Sequence, residues 1–219
     1  MTAGPRWLAH PESVTAMTPA PRPRLRRPAP TLHITQRVDG DGPAFLHLAN
    51  YWRYLDDLRA ASLAQGCTVH AYVLMSHHVH LLVTPGTPGA AGRMMRQLGS
   101  RYARYFNRFR VDGGRLWARG HQCNPIVGAA SLLRCQSFIE LNPVRAGLVA
   151  TPDVYRWSSY RHHAFGADDP LVQSHPRYEA LARDPVARRR KYVGMVAAGI
   201  SERQLARLRG QFGGASGGR

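Results

Sequence analysis

The sequence predicts an α+β fold, and three features carry the prediction. Short apolar stretches with strand character, 31–38 and the two halves of 67–85, alternate with segments whose apolar residues recur at the helical period, 44–65 and 93–110. Turn clusters separate them, Asp39-Gly40-Asp41-Gly42-Pro43 first and a Gly/Pro loop over 85–92 second. A short strand is expected around 125–127, followed by a third helix over 129–142. Strand, helix, strand, strand, helix, strand is the split βαβ, or ferredoxin-like, arrangement: a βαββαβ sheet with helices on one face. A C-terminal helical extension is added to it.

Taken in order, residues 1–30 hold the run PAPRPRLRRPAP. It suits neither helix nor sheet, because proline removes donors and fixes φ. The expectation is a disordered basic arm that attracts phosphates, or else an upstream extension from a wrong start codon. TLHITQRV, 31–38, is the first strand. Leu46, Leu48, Tyr51, Leu55, Leu58 and Leu63 give 44–65 its helical period, and Gly66 is the stop. The two strands within 67–85 break near Met75–Ser76 and are joined tightly enough to be antiparallel.

The helix over 93–110 places Met94, Leu98, Tyr102 and Tyr105 or Phe106 on an apolar stripe, while Arg93, Arg96, Arg101, Arg104, Arg108 and Arg110 crowd the rest. Basic and aromatic side chains interleaved suit a backbone-tracking, base-stacking surface. They equally suit a helix that buries its aromatics and solvates its arginines. The third helix, AASLLRCQSFIELN, is expected to end at Asn142, since the residue before a proline avoids αR. The aromatics of Tyr155-Arg156-Trp157-Ser158-Ser159-Tyr160 are read as packing residues. After the loop DDPLVQSHP come a basic helix over 185–198, a last short helix from Ser201 with Gln204 as a capping box, and a Gly/Ser tail over 210–219. The organisation read from this is an arm over 1–30, a folded domain over 31–165, and a basic helical extension with its tail over 166–219.

Composition bounds the function. The chain has 219 residues, 44% of them hydrophobic, so it can bury a core. Lys and Arg total 30 against 13 Asp and Glu, a formal charge of +17, and the sequence pI is about 11.2. That imbalance points to a polyanion, nucleic acid first. Cys67, Cys123 and Cys135 form no Cys-x-x-Cys pair, which argues against a zinc ribbon or a redox site. No apolar run reaches the roughly 20 residues of a membrane helix, and the start has no apolar signal core. A cytoplasmic protein is expected.

The chemistry centres on CTVHAYVLMSHHVHLLVTP, residues 67–85. Side chains alternate along a strand, so His78 and His80 share a face while Val79, Leu81 and Val83 take the other. Two imidazoles at roughly 7 Å spacing along the strand can bind one divalent metal, or be two surface histidines. Phe138 and Asn142, at i and i+4, share a face of the third helix. If its last turn docks over the histidines, the Asn142 carbonyl becomes a third ligand.

The motifs HAYVLMSHHVHLLVTP, FIELNPVRAGLV and YRWSSYR together resemble the single-tyrosine transposases of bacterial insertion sequences, closest to the branch associated with repetitive extragenic palindromes. These belong to the HUH endonucleases, in which two histidines flank a hydrophobic residue. The resemblance runs from about residue 31 to 165 and fades into the C-terminal helices. It implies a divalent ion, Mg²⁺ or Mn²⁺, held by His78, His80 and the amide of Asn142. It also implies a tyrosine that attacks a single-stranded DNA phosphate and forms a 5′-phosphotyrosine. Single-stranded or hairpin DNA is the implied partner, and homodimers are frequent in the family.

The chain departs from the pattern where the nucleophile belongs. The family has tyrosine four residues before the Asn, and here that residue is Phe138, which has no hydroxyl. The family's Gly-Arg-Tyr-Lys run is replaced by Ala118-Arg119-Gly120-His121-Gln122 after Leu116-Trp117. Arg93, Arg96, Arg101, Arg104, Arg108 and Arg119 are the expected DNA contacts. The reading is a transposase-like protein of metal-dependent DNA cleavage and joining, impaired at Phe138. The alternatives are a non-catalytic nucleic-acid-binding descendant, or an enzyme using another tyrosine among Tyr102, Tyr105, Tyr155 and Tyr160.

Overall fold

In a computed structural model, which describes residues 29–109 and 114–199, the chain forms a four-stranded antiparallel sheet in the order β2-β3-β1-β4. The elements are β1 (Leu32–Arg37), α1 (Leu48–Gln65), β2 (Cys67–Met75), β3 (His78–Pro85), α2 (Ala90–Asn107), β4 (Gln122–Pro125) and α3 (Ala129–Arg145). Three further helices follow: α4 (Tyr160–Phe165), α5 (Pro176–Glu179) and α6 (Pro185–Ala197). The order of the first six is the ferredoxin-like one the sequence predicts. The helix expected from Ser201, the Gly/Ser tail, Arg110 and residues 1–28 of the arm lie outside the described residues.

The sheet is covered on both faces. Ile34, Val79, Leu81 and Val83 pack with Tyr54, Leu58, Met94, Leu98 and Tyr102, so α1 and α2 share one face. Ala71, Val73, Met75 and Leu82 pack with Leu132, Cys135 and Ile139 of α3 on the other. Leu132, Cys135 and Ile139 stand at helical spacing, which gives α3 one apolar stripe for that face. The register shifts between Val69 and Ala71, a bulge at His70. It moves Ala71, Val73 and Met75 onto the α3 side while Cys67 and Val69 stay with α1 and α2.

Several boundaries differ from the sequence reading. The helix α1 starts at Leu48 rather than 44, because the Asn50 carboxamide oxygen accepts from the N–H groups of Leu46 and His47, both at 2.9 Å, and holds them outside the helix. Its buried face runs through Tyr54, Leu58 and Ala61, whereas Leu46, Leu48 and Leu63 are exposed. At its end Gly66 adopts φ 61°, and Gly86 approaches so closely that an added Cβ would sit 2.7 Å from the Gly66 carbonyl oxygen.

The fourth strand is 122–125 rather than 125–127, since β1 offers Leu32 to Thr35 as its outer partners. The helix α3 also runs past Pro143 to Arg145 instead of ending at Asn142. Proline has no N–H for the Ile139 carbonyl. The Asn142 side-chain amide stands in that region instead, donating to the Phe138 carbonyl at 2.9 Å with a longer contact of 3.5 Å to that of Ile139.

The C-terminal helices dock on α3 through a buried polar cluster. Glu140, fully buried, accepts from the Ser159 hydroxyl at 2.6 Å, the Tyr192 hydroxyl at 2.6 Å and His163 Nδ1 at 2.8 Å. The segment 157–159 extends the sheet edge beyond β2, with the Leu74 N–H donating to the Trp157 carbonyl and the Ser159 N–H to that of Tyr72. No helix among the described residues is long and apolar enough to cross a membrane.

Candidate functional site

On the α3 face, β3 presents His78, His80 and Leu82, and β1 presents His33, Thr35 and Arg37 beside them. The pairing sets Thr35 opposite His80 and Arg37 opposite His78. Rings of His78 and His80 lie 4.9 Å apart at 81°, and His33 stacks on His80 at 5.0 Å and 21°. His80 Nδ1 is 2.9 Å from His33 Nε2 and 3.0 Å from the Thr35 hydroxyl. Both partners meet that one nitrogen, which orients the ring and leaves Nε2 as the nitrogen for a ligand.

Burial governs the charge of the cluster. Desolvation lowers His78 to about 4, with Arg37 adding to the effect, and lowers His33 to about 4. His80 is held well below the usual imidazole range by burial, then by His33 and His78. All three rings are therefore neutral near pH 7, with lone pairs in place.

Across the groove stands α3. The Phe138 ring meets His80 edge-on at 5.7 Å and His33 at 6.0 Å. The helix α3 thus lies over the histidine face through Phe138, one turn before the Asn142 turn that the sequence expectation placed there. Asn142 follows one turn later and is half-buried. Its NH₂ is engaged with helix carbonyls, so its oxygen is the group left to face a ligand.

The donor set can be tested against a divalent cation. Among the described residues no three His, Cys, Asp or Glu side chains are arranged so that they alone could hold a metal ion. A cation here would rest on two neutral imidazoles and one amide oxygen, with positions open to other ligands. Imidazole suits Zn, Cu, Fe and Ni ions, while an amide oxygen suits Mg²⁺ and Mn²⁺, so this mixed set does not separate the two expected ions. Neutral imidazoles and an amide oxygen are donor types that a divalent cation accepts.

Two of the features at the site were not singled out from the sequence: the His33–Thr35 pair that orients His80, and the exposed Arg37. The signal was present in TLHITQRV, where residues 33, 35 and 37 alternate as 78 and 80 do.

The arginines named from the sequence sit elsewhere. Arg93, Arg96, Arg101, Arg104 and Arg108 line the polar side of α2, which covers the sheet face opposite the histidines. Arg93 donates to the Gln65 side chain at 2.9 Å and Arg101 pairs with the buried Asp57 at 3.2 Å. Arg53, Arg101, Arg104, Tyr105 and Arg108 border a shallow basic hollow. Arg119 is exposed two residues after Trp117, whose ring is buried against Tyr54 and Tyr102.

Among the tyrosines, Tyr102 and Tyr105 belong to α2, across the sheet from His80. Tyr102 is fully buried with its hydroxyl on the Ala44 carbonyl. The Tyr155 hydroxyl donates to the Leu74 carbonyl at 2.7 Å, and Tyr160 is buried in the C-terminal cluster.

Fold and site together define a ferredoxin-like α+β domain in which a helix closes over a strand-borne histidine pair. A model of the family described as IS200-like transposases matches residues 49–142 of this chain. Among solved structures it is similar to a REP-associated tyrosine transposase bound to a REP hairpin. That match has 15% identity and a TM-score of 0.55, and covers 71% of this chain and 98% of the other. The likeness establishes the shared fold. No curated protein matches the chain.

Proposed function

We propose that the protein binds single-stranded or hairpin DNA at the groove between β3 and α3, as a transposase-like protein whose strand cleavage and joining are impaired. The observation that carries this reading is the Phe138 ring against His80 at 5.7 Å. It sits where the family resemblance calls for a tyrosine nucleophile. His78, His80 and Asn142 would hold a divalent cation, which when bound supplies Lewis-acid polarisation of a phosphate. His33 and Thr35 fix the His80 ring. Arg37, beside His78, meets the charge of a phosphate at the groove mouth. Arg104 and Arg108, with no described ion-pair partner, would contact a strand that continues onto the α2 side, alongside Arg93, Arg96, Arg101 and Arg119.

Phe138 has no hydroxyl to form a phosphodiester, so no covalent intermediate starts from it. A cavity-filling ring in that position leaves binding intact and removes the chemical step. The solved hairpin complex of similar fold supports hairpin DNA as the partner.

The test is incubation with a labelled hairpin oligonucleotide and Mn²⁺, with binding followed against salt and products run on a denaturing gel. Binding that weakens steeply with salt and an absent covalent band are the expected results. Salt-independent binding would overturn the electrostatic reading. A covalent band from the unaltered protein would mean that another tyrosine performs the attack.

A further inference from the structure

A cavity of about 310 Å³ opens beyond the β2 edge, between α1 and the segment 156–171, away from the histidine groove. Its volume is at the lower end of small-ligand pockets. One wall is the Trp52 indole, 47% exposed although it lies against the buried Trp157 at 5.2 Å. The Arg156 guanidinium stands over the Trp52 ring at 4.8 Å. Tyr72 and Asp169 close another side, the tyrosine hydroxyl donating to the carboxylate at 2.9 Å. Asp56, Arg59, Arg161 and Asp168 are the other Asp and Arg residues of the lining, beside His162 and apolar residues such as Leu55 and Leu171. None of the four has an ion-pair partner among the described residues.

This combination selects a ligand class. A half-exposed indole with a guanidinium over one face forms a flat aromatic and cationic surface on which a planar ring can stack. Unpaired arginines at the rim suit a phosphate. The carboxylates of Asp56 and Asp168 on the same lining, without ion-pair partners and solvent-exposed, penalise a bare anion and a ring that offers only acceptors. They are satisfied by a ring edge carrying N–H donors. Among the DNA bases, only guanine presents two adjacent donors, the ring N1–H and the exocyclic amino group, to one carboxylate.

We infer that this cavity binds an unpaired guanine nucleotide, stacked on Trp52, with its Watson–Crick edge toward Asp56 or Asp168 and its phosphate toward Arg59 or Arg161. The inference rests on the DNA-binding reading only for the source of the guanine, a single strand held by the same protein. The pocket's chemistry stands apart from the histidine groove.

The experiment is calorimetric titration of the intact protein with dGMP and, separately, with dTMP, beside a hairpin-binding measurement. The expected result is dGMP binding at least about tenfold tighter than dTMP. Trp52→Ala should weaken dGMP about tenfold or more, in line with stacking on one aromatic side chain. Asp56→Asn with Asp168→Asn should bring the two nucleotides to within about twofold of each other. Equal affinity for dGMP and dTMP in the unaltered protein, or dGMP affinity unmoved by Trp52→Ala in a protein of native circular dichroism, would overturn the inference. Loss of hairpin binding by the unaltered protein would instead strike the preceding reading, while the mononucleotide titrations decide this one.

Discussion

The rings of His80 and Phe138 meet edge to face, their centroids 5.7 Å apart and their planes at 74°. This contact joins β3 to α3 across the groove and places an unreactive ring beside an imidazole whose Nδ1 is already committed to His33 and Thr35. Everything proposed about catalysis depends on it, because it brings residues 58 positions apart into one pocket (138 less 80).

The orienting role of His33 predicts a metal phenotype. His33→Phe keeps a ring stacked on His80 but removes the nitrogen that meets His80 Nδ1. Mn²⁺ affinity by titration is expected to fall about 10- to 100-fold, with circular dichroism unchanged. Unaltered affinity would mean that Thr35 alone orients the ring.

Salt dependence should separate the arginines of α2. Arg104→Ala and Arg108→Ala are each expected to reduce the slope of log K against log salt by up to about 0.7 on single strands. Arg101 has its charge matched by Asp57, a partner shared with Arg53, so Arg101→Ala is expected to move the slope less. A larger change for Arg101 than for Arg104 would contradict this.

The cluster at Glu140 predicts a stability loss. Glu140→Ala leaves the hydroxyls of Ser159 and Tyr192 and the ring of His163 buried without their acceptor. Breaking one side of such a buried site costs about 3–5 kcal/mol, read as a lower urea midpoint. Proteolysis should then begin around α4 to α6, which this carboxylate ties to α3. A midpoint within about 0.5 kcal/mol of the parent would show that the cluster contributes little.

Acid sensitivity follows from His70. The Arg177 N–H donates to His175 Nδ1, so neutral His175 carries its proton on Nε2 and donates to the Thr31 hydroxyl. Thr31 then donates to Thr84, Thr84 to His70 Nε2, and His70 Nδ1–H to the Gln173 carbonyl. Burial lowers His70 to about 4, against the usual 6.5. Between those values the unfolded chain binds more protons, so stability is full above about pH 6.5 and is lost as pH falls toward 4. The contribution is at most about 3 kcal/mol. Urea midpoints measured from pH 7 to 4.5 should fall, and His70→Asn should make the fall shallower by this residue's share, the buried His33, His78 and His80 supplying the rest.

The alternation of 78 to 83 gave the two faces of β3 correctly, because a strand's period is rigid. The element order gave the sheet, because a split βαβ pattern admits few topologies. Boundaries failed where side chains replaced backbone hydrogen bonds. Asn50 delayed α1, and α3 continued through Pro143 with the Asn142 amide on its carbonyls, neither of which propensity detects. The bulge at His70 was also invisible, since one extra residue changes facing without changing composition. The arginine stripe was legible as a helix face, but its position across the sheet from the histidines depends on packing that spacing does not encode.

The most direct measurement is the covalent trapping of hairpin DNA by Phe138→Tyr in the presence of Mn²⁺, set beside the unaltered protein on one denaturing gel. A restored hydroxyl at the ring facing His80 should yield a protein–DNA band that the unaltered chain lacks, in line with the rate loss of order 10⁶ that accompanies removal of a covalent nucleophile. A well-folded, hairpin-binding Phe138→Tyr protein that forms no adduct would contradict the claim that this groove is a strand-cleavage site missing only its nucleophile.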